Sequence, residues 1–565
     1  MPSSSHPRLA VIADAHFHDP CGNYGLPESS GTAFRSLADT ARSVRLLNES
    51  YAALVHTLDD VVARGITHVI LLGDYSDDGQ VATLAGLRRI LDRYSTQCGL
   101  RFYAVVGNHD IFGPEGRHRT KRFMNATGSY VVATSNPASS TAAVTPTVVS
   151  KAMYCQGYPA GLSALSNAGF FGSPDALYWE TPFGQTSEAA ARLYPVWSDD
   201  GTPHCPLMDA SYLVEPFEGV WLMMIDANVF RPHRQAETAG HGQDYADSTA
   251  AGWNAVLTHK PFLLTWMTDV ADRAKALGKQ LLTFSHYPVL DPLDGTGQEE
   301  QATLGVTSFA GRIPGPTVAR AMTGCGIGVH FSGHLHINDT ARYQDEHGFL
   351  INVSVPSLVA FPSAYKIITV GIAALEVETV EIGAMPLDPE FTARYRQEML
   401  RAGLKLDRLV NCANYGEFTH EHIGHLVGRR YLRRDWPQDL AVLFQTSTLA
   451  DLAAIAGSGT VADRAVEPLA NIPSLSFLED WYRLRLSSDL DFCRLPEGRL
   501  AAYRLVAALY ASDEDKATGK IQRRVGLIFE MFLKYMTGLP ARNFSIDLVS
   551  GDVRLQTDKQ VPDRN

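Results

Sequence analysis

Near its start the chain reads Leu9-Ala10-Val11-Ile12-Ala13-Asp14-Ala15-His16, and then His68-Val69-Ile70-Leu71-Leu72-Gly73-Asp74: two apolar runs of strand length, each ending on a metal-ligating side chain. The same grammar returns at Phe102–Val106 before Gly107-Asn108-His109-Asp110, at Gln280–Ser285 before His286, and at Gly328–Ser332 before Gly333-His334-Leu335-His336. Short apolar runs bounded by turn residues read as buried strands. Between the first two runs, Val44, Leu47, Tyr51, Leu54, Val55, Leu58, Val61 and Val62 recur at three and four residues and stop near Gly65, which predicts an amphipathic helix. A second helix is predicted over 81–94. Strand and helix therefore alternate in the opening third, the pattern of βαβ units around a largely parallel inner sheet. Open α/β sheets bind ligands beyond the carboxyl ends of their strands, which is where every one of these motifs falls.

The donors suit two cations. Asp14, Asp74 and Asn108 are hard oxygen ligands, His16, His286, His334 and His336 are imidazoles, and no thiolate joins them. That mixture fits two divalent ions such as Mn, Fe, Zn, Ni or Co, in a centre with open positions that acts on water, better than a closed structural zinc. Asp74 is the natural bridge. Asp14, His16 and His336 complete one shell, and Asn108, His286 and His334 the other. The neutral Asn108 carbonyl ligates without adding negative charge. Gly107 and Gly333 precede ligands at sharp turns, whose backbone angles glycine tolerates. His109 is left over as a general acid or as a stabiliser of charge on the phosphoryl group, with Asp110 expected to fix its tautomer. The chemistry so implied is attack on a bound substrate by a metal-bridging hydroxide.

The rest of the chain bounds this reading. Its 565 residues exceed one hydrophobic core, so a catalytic domain over 1–385 and a helical C-terminal domain or cap over 386–565 are expected. The Thr, Ser, Gly and Pro clusters of 111–218 predict a loop-rich insertion or lid. Beyond Pro386, helical patterning with charged faces appears in Glu390–Leu404, Gln438–Leu452, Phe477–Arg485 and Leu500–Tyr510. The final ten or so residues are polar enough to expect disorder. No apolar stretch reaches membrane-span length, the start leaves no room for a secretory signal, and seven scattered cysteines form no CxxC pair. These features predict a cytoplasmic protein in a reduced compartment. A net charge of −12 makes nucleic acid a poor expected partner.

Taken together, Asp14-x-His16, Gly73-Asp74, Gly107-Asn108-His109-Asp110, His286 and Gly333-His334-x-His336 resemble the complete motif set of the calcineurin-like metallophosphoesterase superfamily, over roughly residues 8 to 385. The resemblance implies an α/β fold of four layers, αββα, in which two mixed sheets stack between helices with a dinuclear centre at their carboxyl edge. It implies hydrolysis of phosphomonoesters or phosphodiesters. Purple acid phosphatases carry a tyrosine three residues after the bridging Asp; this chain has Asp77 there, so a tyrosinate-iron centre is not expected. Leu222–Asn228, His286-Tyr287-Pro288 and Val355-Pro356-Ser357 are more similar to bacterial cyclic-nucleotide-phosphodiesterase-like members. A small phosphodiester such as a cyclic nucleotide is therefore the first expected substrate. A phosphomonoester, including a phosphoprotein, is the second, and a non-catalytic scaffold retaining the fold is the reading from another class.

Several residues near the motifs have plainer readings. Tyr75 and Asp77-Asp78 read as the capped start of a helix near Gln80, and His18 and Asp19 as plain loop or as support for the ligands or contacts to substrate. Arg117, His118, Arg119, Lys121 and Arg122 read first as a solvated helix face and second as a phosphate-binding rim. His420-Glu421-His422 with His425 fails the HExxH spacing because position 424 is Gly, and reads as structural. His259 and His330 read as core or interface histidines.

Overall fold

The computed structural model describes residues 6–556 apart from 126, 140–144, 174, 199, 234–243, 406, 458–466, 493 and 512–518. The expected disorder of the last residues and the environment of Cys493 fall outside that set. The strands that position the site are β1 (Arg8–Ile12), β2 (His68–Leu72), β3 (Arg101–Val105), β4 (Tyr178–Glu180), β5 (Tyr212–Phe217), β6 (Val220–Ile225) and β7 (Gln280–Ser285). They continue with β8 (Val329–Ser332), β9 (Asp339–Asp345), β10 (Gly348–Ser354), β11 (Ala364–Val370), β12 (Ala374–Glu381), β13 (Asn543–Asp547) and β14 (Val553–Leu555).

These strands form two seven-stranded mixed sheets, ordered β14-β13-β12-β11-β1-β2-β3 and β9-β10-β8-β7-β6-β5-β4. In the first, β1, β2 and β3 run parallel, with Ala10 opposite Val69 and Val69 opposite Phe102. In the second, β6, β7 and β8 run parallel. The sheets face each other across one core that takes Leu9 and Val11 from the first and Leu222, Phe284 and Phe331 from the second. Helices Ser50–Ala63 and Val81–Cys98 add Leu54, Leu58, Leu87 and Ile90 to that core. Helices Gly252–His259, Pro261–Leu277 and Pro316–Gly324 cover the second sheet through a separate cluster around Trp253, Met267 and Met322. The four-layer α/β arrangement expected from the sequence is the one observed.

Three expectations about elements change. The helix predicted from Val44 begins only at Ser50. The preceding segment is held open by the Leu46 N–H donating to the Val359 carbonyl at 2.8 Å, which turns Arg45 toward the site. The 111–218 stretch is not a loop-rich lid throughout. β4 and β5 within it belong to the second sheet, and Thr120–Met124, Tyr130–Thr134 and Thr147–Val149 form a three-stranded sheet of their own. Strands of three to six residues interrupted by Pro and Gly are too short to show an alternating pattern. Finally, the C-terminal region is helical from Pro389 to Tyr535 and then returns as β13 and β14 to the edge of the first sheet, where Val377 faces Phe544. The chain is therefore not cut cleanly at residue 385.

The helical region has its own core around Phe477, Trp481, Phe529 and Phe532, which also takes in Leu335 and Ile337 from the loop after β8. The helix expected over Gln438–Leu452 is two, Gln438–Thr446 and Leu449–Ile455, because Thr448 starts a new one with a capping box to Asp451. Docking onto the loop after β8 is tight. The Asn338 N–H donates to the Leu486 carbonyl at 2.8 Å, and buried Arg485 makes a two-pronged ion pair with Glu300 at 2.7 and 2.8 Å.

Candidate metal centre

Each expected ligand lies just past the carboxyl end of a strand: Asp14 and His16 after β1, Asp74 after β2, Asn108 after β3, His286 after β7, and His334 and His336 after β8. Stacking the sheets brings these ends together. Two groups of side chains result, Asp14 with His16 and His336, and Asp74 with His286 and His334, and within each the ligand atoms lie within 4.8 Å of one another. The Asp74 Oδ2 atom is 3.3 Å from His286 Nε2 and 3.7 Å from His16 Nε2, so it faces both groups.

The backbone at these positions is unusual. Asp14, His16, Asp74, His334 and His336 all have positive φ, from 36° to 71°. Non-glycine residues reach that region only where the surroundings hold them, at a cost of order 1–3 kcal/mol each. The expectation for the glycines changes accordingly. Gly107 and Gly333 are outside the positive-φ set, and they are needed for close approach instead. A Cβ on Gly107 would lie 2.2 Å from the Asp74 amide nitrogen and Oδ1, and one on Gly333 would lie 2.5 Å from Asp14 Oδ2. Gly73, before Asp74, combines both reasons, with φ of 81° and a Cβ position 2.5 Å from His286 Nδ1.

The donor atoms are aimed and left open. Asp14 Oδ2 accepts from the His334 N–H at 2.9 Å and Asp74 Oδ1 from the His109 N–H at 2.7 Å, so one oxygen of each carboxylate is fixed by backbone. The Ser357 hydroxyl holds the Asp14 carbonyl at 2.7 Å, and the Leu72 carbonyl accepts from His286 Nδ1 at 3.0 Å. The Asn108 amide donates to Thr249 Oγ1 at 3.0 Å, which turns its carbonyl oxygen to the site. Asp14 Oδ1 and Asn108 Oδ1 are buried without any hydrogen-bond partner. Buried oxygens of this kind are costly unless something satisfies them, and divalent cations do. His16 Nε2 and His336 Nε2 point at each other across 3.1 Å, an arrangement that a shared cation also resolves.

Electrostatics agree. Burial holds His16 and His334 well below the usual imidazole range, the neutral form that a ligand needs. Burial opposes charge on His286 too, but the Asp74 carboxylate pushes it up to about 9, so that without a cation a proton sits between them. Burial disfavours the Asp74 anion, and the His286 and His109 rings nevertheless hold it well below the usual carboxylate range. Two divalent ions therefore fit the chemistry of these donors.

The surroundings of His109 depart from expectation. Asp110 does not orient it: its carboxylate accepts from the Ser76 N–H and hydroxyl and from the Gly107 N–H, each at 2.9 Å, and so pins the turn after β3 to the turn after β2. The carboxylate at His109 Nδ1 is Asp78, at 2.5 Å. Burial would raise Asp78, but Lys121 and Arg119 hold it well below the usual carboxylate range. Asp77 is also buried and pairs with Lys121, Arg35 and Arg45. The helix after them is capped at Gln80 without a side-chain bond, so capping is not their role. The basic run is likewise neither a solvated helix nor a rim. Arg117 pairs with Asp247, Arg119 with Asp78 at 3.2 Å, and Arg122 with Asp39 at 2.8 Å. Arg45, missed in the sequence, reaches 3.3 Å from both His16 Nδ1 and His109 Nδ1. Its signal was only its place in an apolar pattern that failed to become helix.

The plainer readings of His330, His18 and the His420–His425 cluster fit. His330 bonds Ser285 and Asn352, and His18 bonds the Ala33 carbonyl. His422 bonds the Thr40 carbonyl, and the His420–His425 cluster is not among the metal-competent groups of the described residues.

A site of paired aspartate-histidine clusters at the carboxyl edge of two stacked sheets defines a dinuclear metallohydrolase. Residues 7–155 match the family model described as calcineurin-like phosphoesterase, and no curated protein matches. Solved structures similar to this one include a dimetal phosphatase from Danio rerio, at 14% identity, covering 67% of this chain and 97% of that one, with a TM-score of 0.36. They also include the anchor of the inner membrane complex of Plasmodium, at 8% identity over 67% and 85% of the two chains and a TM-score of 0.26. A phosphopantetheinyl hydrolase from Mycobacterium tuberculosis is 12% identical over 62% and 90%, with a TM-score of 0.23. At these TM-scores the assignment rests on the family match and the ligands. Residues 7–155 are thus similar to the calcineurin-like phosphoesterases, and the paired clusters suit the two divalent ions of a metal-dependent phosphoric ester hydrolase. Among the described residues, no helix is long and apolar enough to cross a membrane.

Proposed function

We propose that this phosphoesterase hydrolyses a small phosphodiester, with a cyclic nucleotide as the first substrate to test. Asp14, His16 and His336 would hold one ion, Asn108, His286 and His334 the other, and Asp74 would bridge them. When bound, such ions polarise the phosphoryl oxygens and lower the pKa of a water toward neutrality. The chain's own residues do the rest. Asp78 accepts the Nδ1 proton of His109 and fixes that ring, leaving Nε2 to deliver a proton to the departing oxygen. Arg45, beside both His16 and His109, adds fixed positive charge where the phosphoryl oxygens gather negative charge. Asp110 positions rather than reacts, by tying the turns that carry Asp74 and Asn108.

The observation that carries the small-substrate reading is the cleft itself. It holds about 480 Å³ and runs from His16, Asp74 and His109 to Phe309, Leu426 and Tyr482, so the C-terminal helices roof it as a cap. Clefts of that size enclose small molecules and not a folded protein surface. A phosphoprotein is therefore disfavoured, and a small phosphomonoester is the competing substrate.

The test uses protein stripped of metal and reloaded with Mn, Fe, Ni or Zn, assayed on bis(p-nitrophenyl) phosphate and p-nitrophenyl phosphate, beside Asp74→Asn and His109→Ala. Diester turnover restored by metal and lost in Asp74→Asn supports the proposal. Turnover of the monoester alone makes the protein a phosphatase.

A further inference from the structure

The far end of the cleft is more cationic than one phosphate needs. Seven arginines line it, Arg35, Arg42, Arg45, Arg312, Arg430, Arg434 and Arg485. Three have a carboxylate partner: Arg35 and Arg45 share Asp77, and Arg485 is locked to Glu300. Arg42, Arg312, Arg430 and Arg434 have no ion-pair partner among the described residues; Arg430 only donates to the Arg42 carbonyl, at 2.6 Å. The carboxylate left on this wall, Asp435, makes no ion pair either.

These guanidinium groups also oppose one another. Burial disfavours the charge of Arg430, and Arg434 and Arg45 add to that, with Tyr431 and Asp435 opposing. Burial likewise disfavours the charge of Arg312, with Arg430 as a further repelling neighbour, and Arg312 in turn lies close enough to act on His334. Arg312 comes from the segment before helix Pro316–Gly324, and Arg430 and Arg434 come from the helical cap, so the fold has converged them from separate elements on the metal centre. Asp435 offsets part of this charge and Asp74 and Asp247 act on Arg312, but guanidinium groups without a paired carboxylate, crowded in a partly closed cleft, still raise the free energy of the empty site. A polyanion arriving with the ligand relieves it, and guanidinium forks match phosphate oxygens.

Building on the phosphodiester reading, we propose that Arg312, Arg430 and Arg434 form a second phosphate subsite, so that the substrate is a diester carrying another phosphate besides the one that is cleaved. A cyclic dinucleotide or a nucleotide with a phosphorylated arm belongs to that class, and a simple alkyl or aryl diester does not. The three arginines are specificity-determining residues; the metal ligands and His109 act on the scissile phosphorus.

The experiment measures inhibition of bis(p-nitrophenyl) phosphate hydrolysis by AMP, ADP and adenosine 3′,5′-bisphosphate, with the metal-loaded full-length protein and free metal held in excess. At least one two-phosphate nucleotide is expected to inhibit with a constant about tenfold or more below that of AMP. In Arg312→Ala, Arg430→Ala and Arg434→Ala that ratio falls toward one, because the second phosphate loses its partner while the first keeps the metals. General damage to the cleft would move both constants together. Arg433→Ala, outside the cleft on the same turn, preserves the ratio, and melting curves confirm that each variant is folded. Equal inhibition by all three nucleotides in the unmodified protein, or a ratio that survives all three substitutions, overturns the proposal. If the unmodified protein fails to turn over the diester, the phosphodiester reading falls instead. Calorimetric affinities for the same nucleotides then decide the subsite on their own.

Discussion

Gly107→Ala isolates what close packing contributes to the metal centre. Gly107 lies outside the positive-φ set, so alanine meets no backbone strain there and the whole effect is steric. The added Cβ would stand 2.2 Å from the amide nitrogen and from Oδ1 of Asp74, and 2.8 Å from its Cγ. Ordinary contact begins at 3.4 Å, so the Asp74 carboxylate or the turn carrying Asn108 and His109 must move by more than about 1 Å. Catalytic geometry tolerates about 0.5 Å, and a misplacement of about 1 Å costs roughly a hundredfold. The expected outcome is a drop in kcat/KM on bis(p-nitrophenyl) phosphate of about 10²- to 10³-fold, with loss of bound metal measured by elemental analysis. Gly65→Ala is the control. It has φ of 69° with nothing within 4 Å, so it should cost about 1 kcal/mol of stability and leave the rate alone. A Gly107→Ala protein that keeps two ions and a rate within about threefold of the parent would refute the close-approach argument. Lost rate with both ions retained would place the displacement on the His109 side, since the His109 N–H bonds the same Asp74 Oδ1.

Three further outcomes follow from contacts at and near the site. Asp78→Asn removes a charged partner of His109 worth about 1.5–3 kcal/mol, so turnover of alkyl diesters should fall about ten- to a hundredfold. Turnover of p-nitrophenyl esters should fall less, because that leaving group needs little protonation, and equal losses on both would count against the proton-delivery role. Thr249→Val frees the Asn108 amide to turn its oxygen away, and titration calorimetry should show one of the two ions bound about 10- to 100-fold more weakly. Burial pushes Glu49 up to about 7 from 4.5. The folded chain therefore keeps a proton that the unfolded chain releases, and the linked stability is whole below pH 4.5 and lost as pH rises through 7. Glu49→Gln should thus gain on the parent between pH 5 and pH 8, by up to about 3 kcal/mol; a difference in melting temperature that does not change with pH would contradict this.

The sequence by itself placed the candidate ligands and the strands that carry them. Asp14, Asp74, Asn108, His286 and His334 each sit one to three residues beyond an apolar run, and that offset is local: once the run is a strand, the ligand must stand at its carboxyl end. Strand existence follows from short apolar stretches, which β1 and β2 display over four consecutive residues. Only the tertiary structure decided which carboxylate serves His109. Asp110 is adjacent in sequence but turns to Ser76, whereas Asp78 arrives from the turn after β2 because β2 and β3 are parallel neighbours. The same holds for the roof of the cleft. Arg430 and Arg434 read as ordinary charges on a helix, and they line the cleft that holds the candidate ligands because the helical region buries Leu335 and Ile337 of the ligand-bearing loop in its own core. Contacts fixed by distant packing leave no periodic trace along the chain, whereas contacts fixed by strand ends do.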